Sequence, residues 1–161
     1  MTKFKLDFED DDLDEPYTLV AIHCSEEEYK VSYLLNLHLE LKLARSTEDL
    51  DLSTKGVLMT YPLYEYEDTQ QYSNYYLIAN SSRREEANSS DGLFGISAER
   101  SSTHYLIPEL RKVDYFLKIY SDFKNISLKQ IITDLNEIKQ IISAYTVEID
   151  TIKSRNNLII G

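Results

Sequence analysis

Apolar and polar positions along this chain change period several times, and each change marks an element. Tyr17 to His23 (YTLVAIH) is an unbroken β-branched and apolar run that predicts a buried strand. Ser25, with Glu28 three residues on, forms a capping box that predicts a helix opening there. Tyr29, Tyr33, Leu34 and Leu37 share one helical face, after which Leu39, Leu41 and Leu43 alternate with Glu40 and Lys42. The period falls from 3.6 to 2, so the helix is expected to end near His38 and a strand to run from about Leu39 to Arg45. Strand, helix and strand make a first β-α-β unit.

Two tyrosine-rich runs follow, Val57 to Tyr66 and Tyr72 to Asn80, joined by a short polar stretch that suits a hairpin. Pro62 inside the first run predicts an edge or a bulge, because proline cannot donate to a ladder. Ser81 to Ser102 is rich in Ser, Asn, Arg and Glu with Gly92 and Gly95 as turn markers, which predicts a long mobile loop pinned at its middle by Leu93, Phe94 and Ile96. Tyr105 to Pro108 reads as a short strand. Val113 to Tyr120 reads as a strand covered on both faces, with Val113, Tyr115, Leu117 and Ile119 on one face and Asp114, Phe116, Lys118 and Tyr120 on the other. Ser127 opens a helix with an apolar stripe of Leu128, Ile131, Ile132, Leu135 and Ile138, and Ala144 to Ile149 returns as a strand. These last elements form a second β-α-β unit, whose crossover should be right-handed.

The predicted fold class is therefore α+β: two β-α-β units plus a Tyr-rich β-hairpin, in a mainly antiparallel or mixed sheet with two helices. Residues 1–15, with the run Glu9-Asp10-Asp11-Asp12, read as an acidic flexible leader. Residues 16–161 read as one domain with a mobile loop at about 81–102. A length of 161 residues suits one core without disulfide or metal support.

Charge narrows the partners. The chain carries 17 basic and 28 acidic residues, a net charge of −11, with acid concentrated in residues 1–16 and 46–68. Such a field repels phosphate backbones and anionic lipid, and no basic patch offsets it: Arg83-Arg84 runs into Glu85-Glu86, and Arg111-Lys112 lies between Glu109 and Asp114. Neither nucleic acid nor membrane is an expected partner. No apolar run reaches the ~18 residues of a membrane span, and the acidic N-terminus is unlike a signal peptide. With Cys24 the single cysteine, a reducing, cytoplasmic setting is expected.

Candidate chemistry is sparse. His23 is the only base adjacent to Cys24, and on a strand the two point to opposite faces, so no thiol–imidazole pair is expected. His23, His38 and His104 are too scattered for a metal-ligand motif. Asp10, Asp12 and Asp14 imitate a calcium loop but lack its Gly at position six and Glu at position twelve. Four glycines form neither a GxxxxGK[ST] nor a GxGxxG loop. No catalytic, metal-binding or cofactor-binding residue is assigned, no cofactor is expected, and the chain does not read as an enzyme. The Asn-x-Ser triplets at Asn80, Asn88 and Asn125 follow from a Ser/Asn-rich composition and carry no meaning without secretion.

The feature furthest from average is tyrosine, thirteen in all, with Tyr61, Tyr64 and Tyr66 leading the predicted hairpin. Tyrosine combines contact area with a polar tip, which suits a protein interface. The competing reading is ordinary coverage of a sheet by a residue that favours strands.

Ile107-Pro108-Glu109-Leu110-Arg111-Lys112-Val113-Asp114-Tyr115 (IPELRKVDY) resembles the signature of the bacterial IPExxxVDY family, with every naming residue present. The Tyr61–Tyr66 segment, the Leu93–Gly95 turn and an end near Asn157–Ile159 are also similar. The resemblance implies a stand-alone cytoplasmic bacterial protein, and it carries over no catalytic or ligand-binding residues. In physical terms Pro108 ends an extended segment, and Glu109 or Asp114 is expected to accept backbone N–H bonds that fix the connection. The functional alternative has Glu109, Arg111 and Tyr115 facing outward as a docking edge.

Together these readings point to a non-enzymatic protein-interaction or regulatory module, with a protein as its partner. A small-ligand sensor is the alternative, and an enzyme assembled from scattered residues a more distant one. An edge carrying Pro62 and exposed tyrosines leaves a homodimer open.

Overall fold

The structure, a computed structural model, describes residues 16–54, 56–83, 103–124 and 126–160. The expectations for the acidic leader and for most of the 81–102 loop, including Leu93, Phe94 and Ile96, lie outside those residues.

The fold is α+β. Ten strands occur among the described residues: β1 (Thr18–Cys24), β2 (Ala44–Arg45), β3 (Leu50–Thr54), β4 (Val57–Tyr61), β5 (Leu63–Asp68), β6 (Ser73–Ala79), β7 (Ser81–Arg83), β8 (Thr103–Tyr105), β9 (Tyr115–Tyr120) and β10 (Ile141–Val147). The helices are α1 (Glu28–Leu39) and α2 (Leu128–Glu137). Six strands form the central sheet in the order β10-β1-β9-β6-β5-β2, while β3-β4 and β7-β8 pair separately. All pairings in the central sheet are antiparallel. Strands an even number of places apart therefore share a direction. β9 and β10 run parallel on either side of β1, joined through α2, and β1 and β2 run parallel across the sheet, joined through α1. Both are β-α-β crossovers whose strands are separated by others.

Both faces of the sheet are covered. On one face α1 and α2 seal a core that includes Val20, Ile22, Leu35, Leu77, Leu117 and Leu135. On the other, the β3-β4 ribbon, the Leu106–Val113 segment and the C-terminal turns enclose Leu19, Ala21, Ile78, Phe116 and Leu158. Strands sandwiched this way are drawn to apolar residues at odd and even positions alike, which is why β1 reads as an apolar run and β9 as one interrupted only by the buried Lys118. Each fully buried Leu or Phe contributes about 1.5–3 kcal/mol.

Local chemistry explains most boundaries. Ser127 accepts the N–H of Gln130 at 3.2 Å and caps α2, as its sequence position predicts, and Ile131, Leu135 and Ile138 are buried. The β5-β6 turn is held by the Asp68 carboxylate, which accepts the N–H groups of Gln70 and Gln71, both at 3.1 Å.

Five expectations are corrected. The Ser25/Glu28 capping box does not form: Glu27 is the N-cap and its side chain makes no cap bond. The residues before it are held instead by the entry into β9, since Asp114, just ahead of that strand, accepts the Cys24 N–H and the Tyr115 hydroxyl donates to the Glu26 carbonyl. The core face of α1 is Val31, Leu34 and Leu35, whereas Tyr29, Tyr33 and Leu37 are 61%, 58% and 59% exposed. Apolar residues nearly encircle this helix, so periodicity alone admitted two orientations. The strand expected over Leu39–Arg45 shortens to Ala44–Arg45, because Glu40 takes a left-handed φ of 56° and the Asn36 side chain pairs with Leu43. Pro62 is neither edge nor bulge but the junction where the chain leaves the β3-β4 ribbon for the central sheet, its carbonyl accepting the Ala79 N–H at 3.2 Å. Finally, Pro108 opens a 3-10 turn over Pro108–Leu110, and the preceding strand stops at Tyr105.

Candidate functional site

The Ile107–Tyr115 string is fastened at every naming residue except Pro108. Ile107 and Val113 are buried in the second core. The Glu109 carboxylate accepts the N–H of Ser154 at 2.9 Å and its hydroxyl at 2.7 Å. Burial alone would raise this carboxyl, but the Ser154 hydroxyl and backbone donors outweigh it and hold Glu109 below the usual range. Asp114 accepts the Cys24 N–H at 2.8 Å, and the Tyr115 hydroxyl donates to the Glu26 carbonyl. Both acidic residues accept backbone N–H groups as expected, yet the donors lie in remote segments and not in the turn itself.

The turn is held from beneath by Asn80, which is 0% exposed. Its Nδ2 donates to the carbonyls of Leu110 (2.9 Å) and Val113 (2.8 Å), and its Oδ1 accepts the Ile107 N–H (2.9 Å). Its own N–H and carbonyl pair with Asp114 and Leu106 at 3.0 and 2.7 Å. One side chain thus satisfies three backbone groups of the string. Its only visible sign in the sequence is an Asn ending an apolar run.

Where the string meets the start of α1, a cleft of about 590 Å³ opens, lined by residues including Cys24, Glu26, Glu27, Asp49, Asp114 and Tyr115. Its wall is acidic. Burial pushes the Cys24 thiol up, and the Glu26 and Asp114 carboxylates add to it against a backbone hydrogen bond at Glu26. A raised thiol stays protonated and is a poor nucleophile at neutral pH. Tyr115 is also raised, first by burial and then by the negative charge of Glu28 and its neighbours. His23 sits on the opposite face of β1 from Cys24, its Nε2 2.9 Å from the Tyr145 hydroxyl. Neither His38 nor His104 lines the cleft. Among the described residues no three His, Cys, Asp or Glu side chains converge as a metal site.

Of the sequence-selected tyrosines, Tyr61 and Tyr64 are buried at 1% and 8% exposure, and Tyr66 stacks on Tyr75 with ring centroids 5.9 Å apart. Tyr64 turns into the core under the helices, and Tyr61, on the β3-β4 ribbon, turns into the core on the opposite face of the sheet. Within the expected docking edge, Glu109 and Arg111 are exposed but Tyr115 is buried, and Pro108 beside them is exposed. The largest exposed aromatic and aliphatic groups on one element are instead Tyr29, Tyr33 and Leu37 on α1. They recur every four residues and form a stripe about 12 Å long at 1.5 Å per residue. Glu26 and Glu27 before it and Glu40 after it are exposed. No helix among the described residues is long and apolar enough to cross a membrane.

No family model matches the chain, and no curated protein or solved structure matches it significantly.

Proposed function

We propose that the chain is a non-enzymatic interaction module that binds another protein through the solvent face of α1. The observation that carries this reading is the Tyr29-Tyr33-Leu37 stripe, about three-fifths exposed at each position on a helix whose opposite face is fully packed. Glu26, Glu27 and Glu40 fringe the stripe, so a complementary partner presents an apolar surface flanked by basic residues. The raised Cys24 thiol supports a non-catalytic role for that residue. The likeness of Ile107–Tyr115 to the IPExxxVDY signature supports a cytoplasmic bacterial protein, and the bonds of that string support a structural role for it.

The test is affinity capture from the native cell with quantitative mass spectrometry, comparing wild type, Tyr29→Ala/Tyr33→Ala and an Arg111→Ala control. A stoichiometric partner retained by the control and lost by the stripe variant, with both folded, supports the reading. A partner that survives the stripe variant refutes this surface.

The acidic cleft favours a second reading, a sensor for a small cationic ligand held by Glu26 and Glu27, since the Asp49 carboxylate in the same wall is already paired with Arg45 at 2.7 and 2.9 Å. A thermal-shift panel of amines and polyamines tests it. Absence of any stabilisation that Glu26→Gln/Glu27→Gln abolishes would count against it.

A further inference from the structure

Each crossover helix carries an asparagine near its C-terminal end, and both asparagines do the same thing. Asn36 of α1 donates from Nδ2 to the Leu43 carbonyl at 3.0 Å and accepts the Leu43 N–H at 2.8 Å. Asn136 of α2 makes the same pair of bonds with Ala144, both at 2.9 Å. The targets lie at opposite edges of the central sheet, Leu43 leading into β2 and Ala144 in the middle of β10.

The backbone groups concerned point away from the sheet. Ala144 stands opposite Ile22, whose carbonyl accepts the Asp114 N–H on the β9 side of β1. In an antiparallel ladder the opposed residue of such a pair directs both its groups to the far side, here the open edge. Likewise the Ser46 N–H bonds to Leu63 on β5, so Leu43, three residues earlier, faces outward. A side-chain amide that gives one bond and takes one is the equivalent of a single residue of a neighbouring strand.

An open edge is a template for another strand, and proteins blunt such edges with charges, prolines, bulges or cover. β10 reads IISAYTV, with neither charge nor proline, and Ile142 at its edge is 72% exposed. We infer that Asn36 and Asn136 are edge guards: their paired bonds to Leu43 and Ala144 occupy the outward backbone groups of one residue at each end of the sheet and prevent strand addition by a second copy of this chain. An incoming strand must bond to alternate outward residues of β10. With Ala144 occupied it cannot make two consecutive pairs without displacing Asn136. This inference is independent of the α1 surface and of any partner bound there.

The test uses the full chain with Asn136→Ala, Asn36→Ala and the double variant, followed by light scattering over a wide concentration range and by amide hydrogen exchange. With one edge open the Asn136→Ala variant is expected to dimerise with rising concentration, and the double variant to form larger assemblies, since two open edges permit continued addition. In the monomer at low concentration, the Ala144 amide should exchange about fivefold faster in Asn136→Ala, the loss of one net hydrogen bond. Adding Ile142→Lys to Asn136→Ala should restore the monomer by charging the edge without restoring the amide bonds. The inference is overturned if folded variants remain monomeric at every concentration, if Ala144 exchange is unchanged, or if Ile142→Lys leaves the association intact. Should the double variant fail to fold, the single variants decide the matter through the same three readings.

Discussion

Replacing Asn80 tests whether one buried amide holds the Ile107–Tyr115 string in place. Asn80→Ala removes two bonds to the carbonyls of Leu110 and Val113 and one from the Ile107 N–H, at a residue with no exposed surface. Each bond contributes a net of about 1 kcal/mol, and a buried backbone group left without a partner costs about 1–3 kcal/mol. The expected loss is about 3–5 kcal/mol, a large share of the roughly 5–15 kcal/mol of a typical domain. Asn80→Asp separates hydrogen bonding from volume. One carboxylate oxygen still accepts the Ile107 N–H, but the other faces two carbonyls where a donor stood. Burial and those carbonyls raise this carboxyl in the folded state, so the variant is expected to lose at least as much at neutral pH. It should regain part of the loss as pH falls through its folded-state value, where protonation supplies one donor. Urea unfolding at several pH values, analysed at constant m, measures both effects. Asn74→Ala, half-buried on β6, the strand that leads into Asn80, sets the background within about 0.5 kcal/mol. An Asn80→Ala loss below about 1 kcal/mol, or an Asp variant as stable as wild type at pH 7, would refute the reasoning.

Two further predictions concern charged groups. Lys118 is 2% exposed, its Nζ 2.8 Å from the Leu158 carbonyl and 4.4 and 4.9 Å from the ring centres of Tyr17 and Tyr120. Lys118→Met keeps the length and removes the donor, so it should cost about 2–3 kcal/mol in urea unfolding and speed amide exchange across Arg155–Leu158. At Glu109 the folded-state carboxyl lies below its unfolded value, so its contribution is present above the unfolded range near pH ~4 and lost as pH falls through the folded value. Glu109→Gln should therefore cost under about 1 kcal/mol at neutral pH, because the group is exposed, with the difference from wild type shrinking toward acid. A difference constant across the titration would contradict the assignment.

What was legible in the sequence is what local chemistry decides. The β1 run, the Ser127 cap with the α2 stripe, the β5-β6 turn and the two-sided burial of β9 each follow from residues within a few positions of one another. The exposed stripe on α1 was hidden because Val31, Leu34 and Leu35 compete with Tyr29, Tyr33 and Leu37 for the core face on equal hydrophobic terms. Only contact with the sheet and with α2 decides between them. Tyr61 and Tyr64 were legible as strand residues but not as buried ones, since the layer that covers them comes from elsewhere in the chain.

The sequence by itself determined the α+β class, the positions of the main strands and both helices, and the strong acidity. Period, capping and composition are properties of short stretches, and they survive without knowledge of neighbours. The tertiary structure alone decided the strand order, the role of Pro62 as a junction, and the tasks of Asn36, Asn80, Asn136, Glu109 and Asp114. For Asn80, Glu109 and Asp114 the side chain meets backbone groups 27, 45 and 90 residues away. For Asn36 and Asn136 the partners are only seven and eight residues on, but their meaning depends on where the edges of the sheet fall. A hydrogen bond is set by distance and direction in space, and chain separation carries neither.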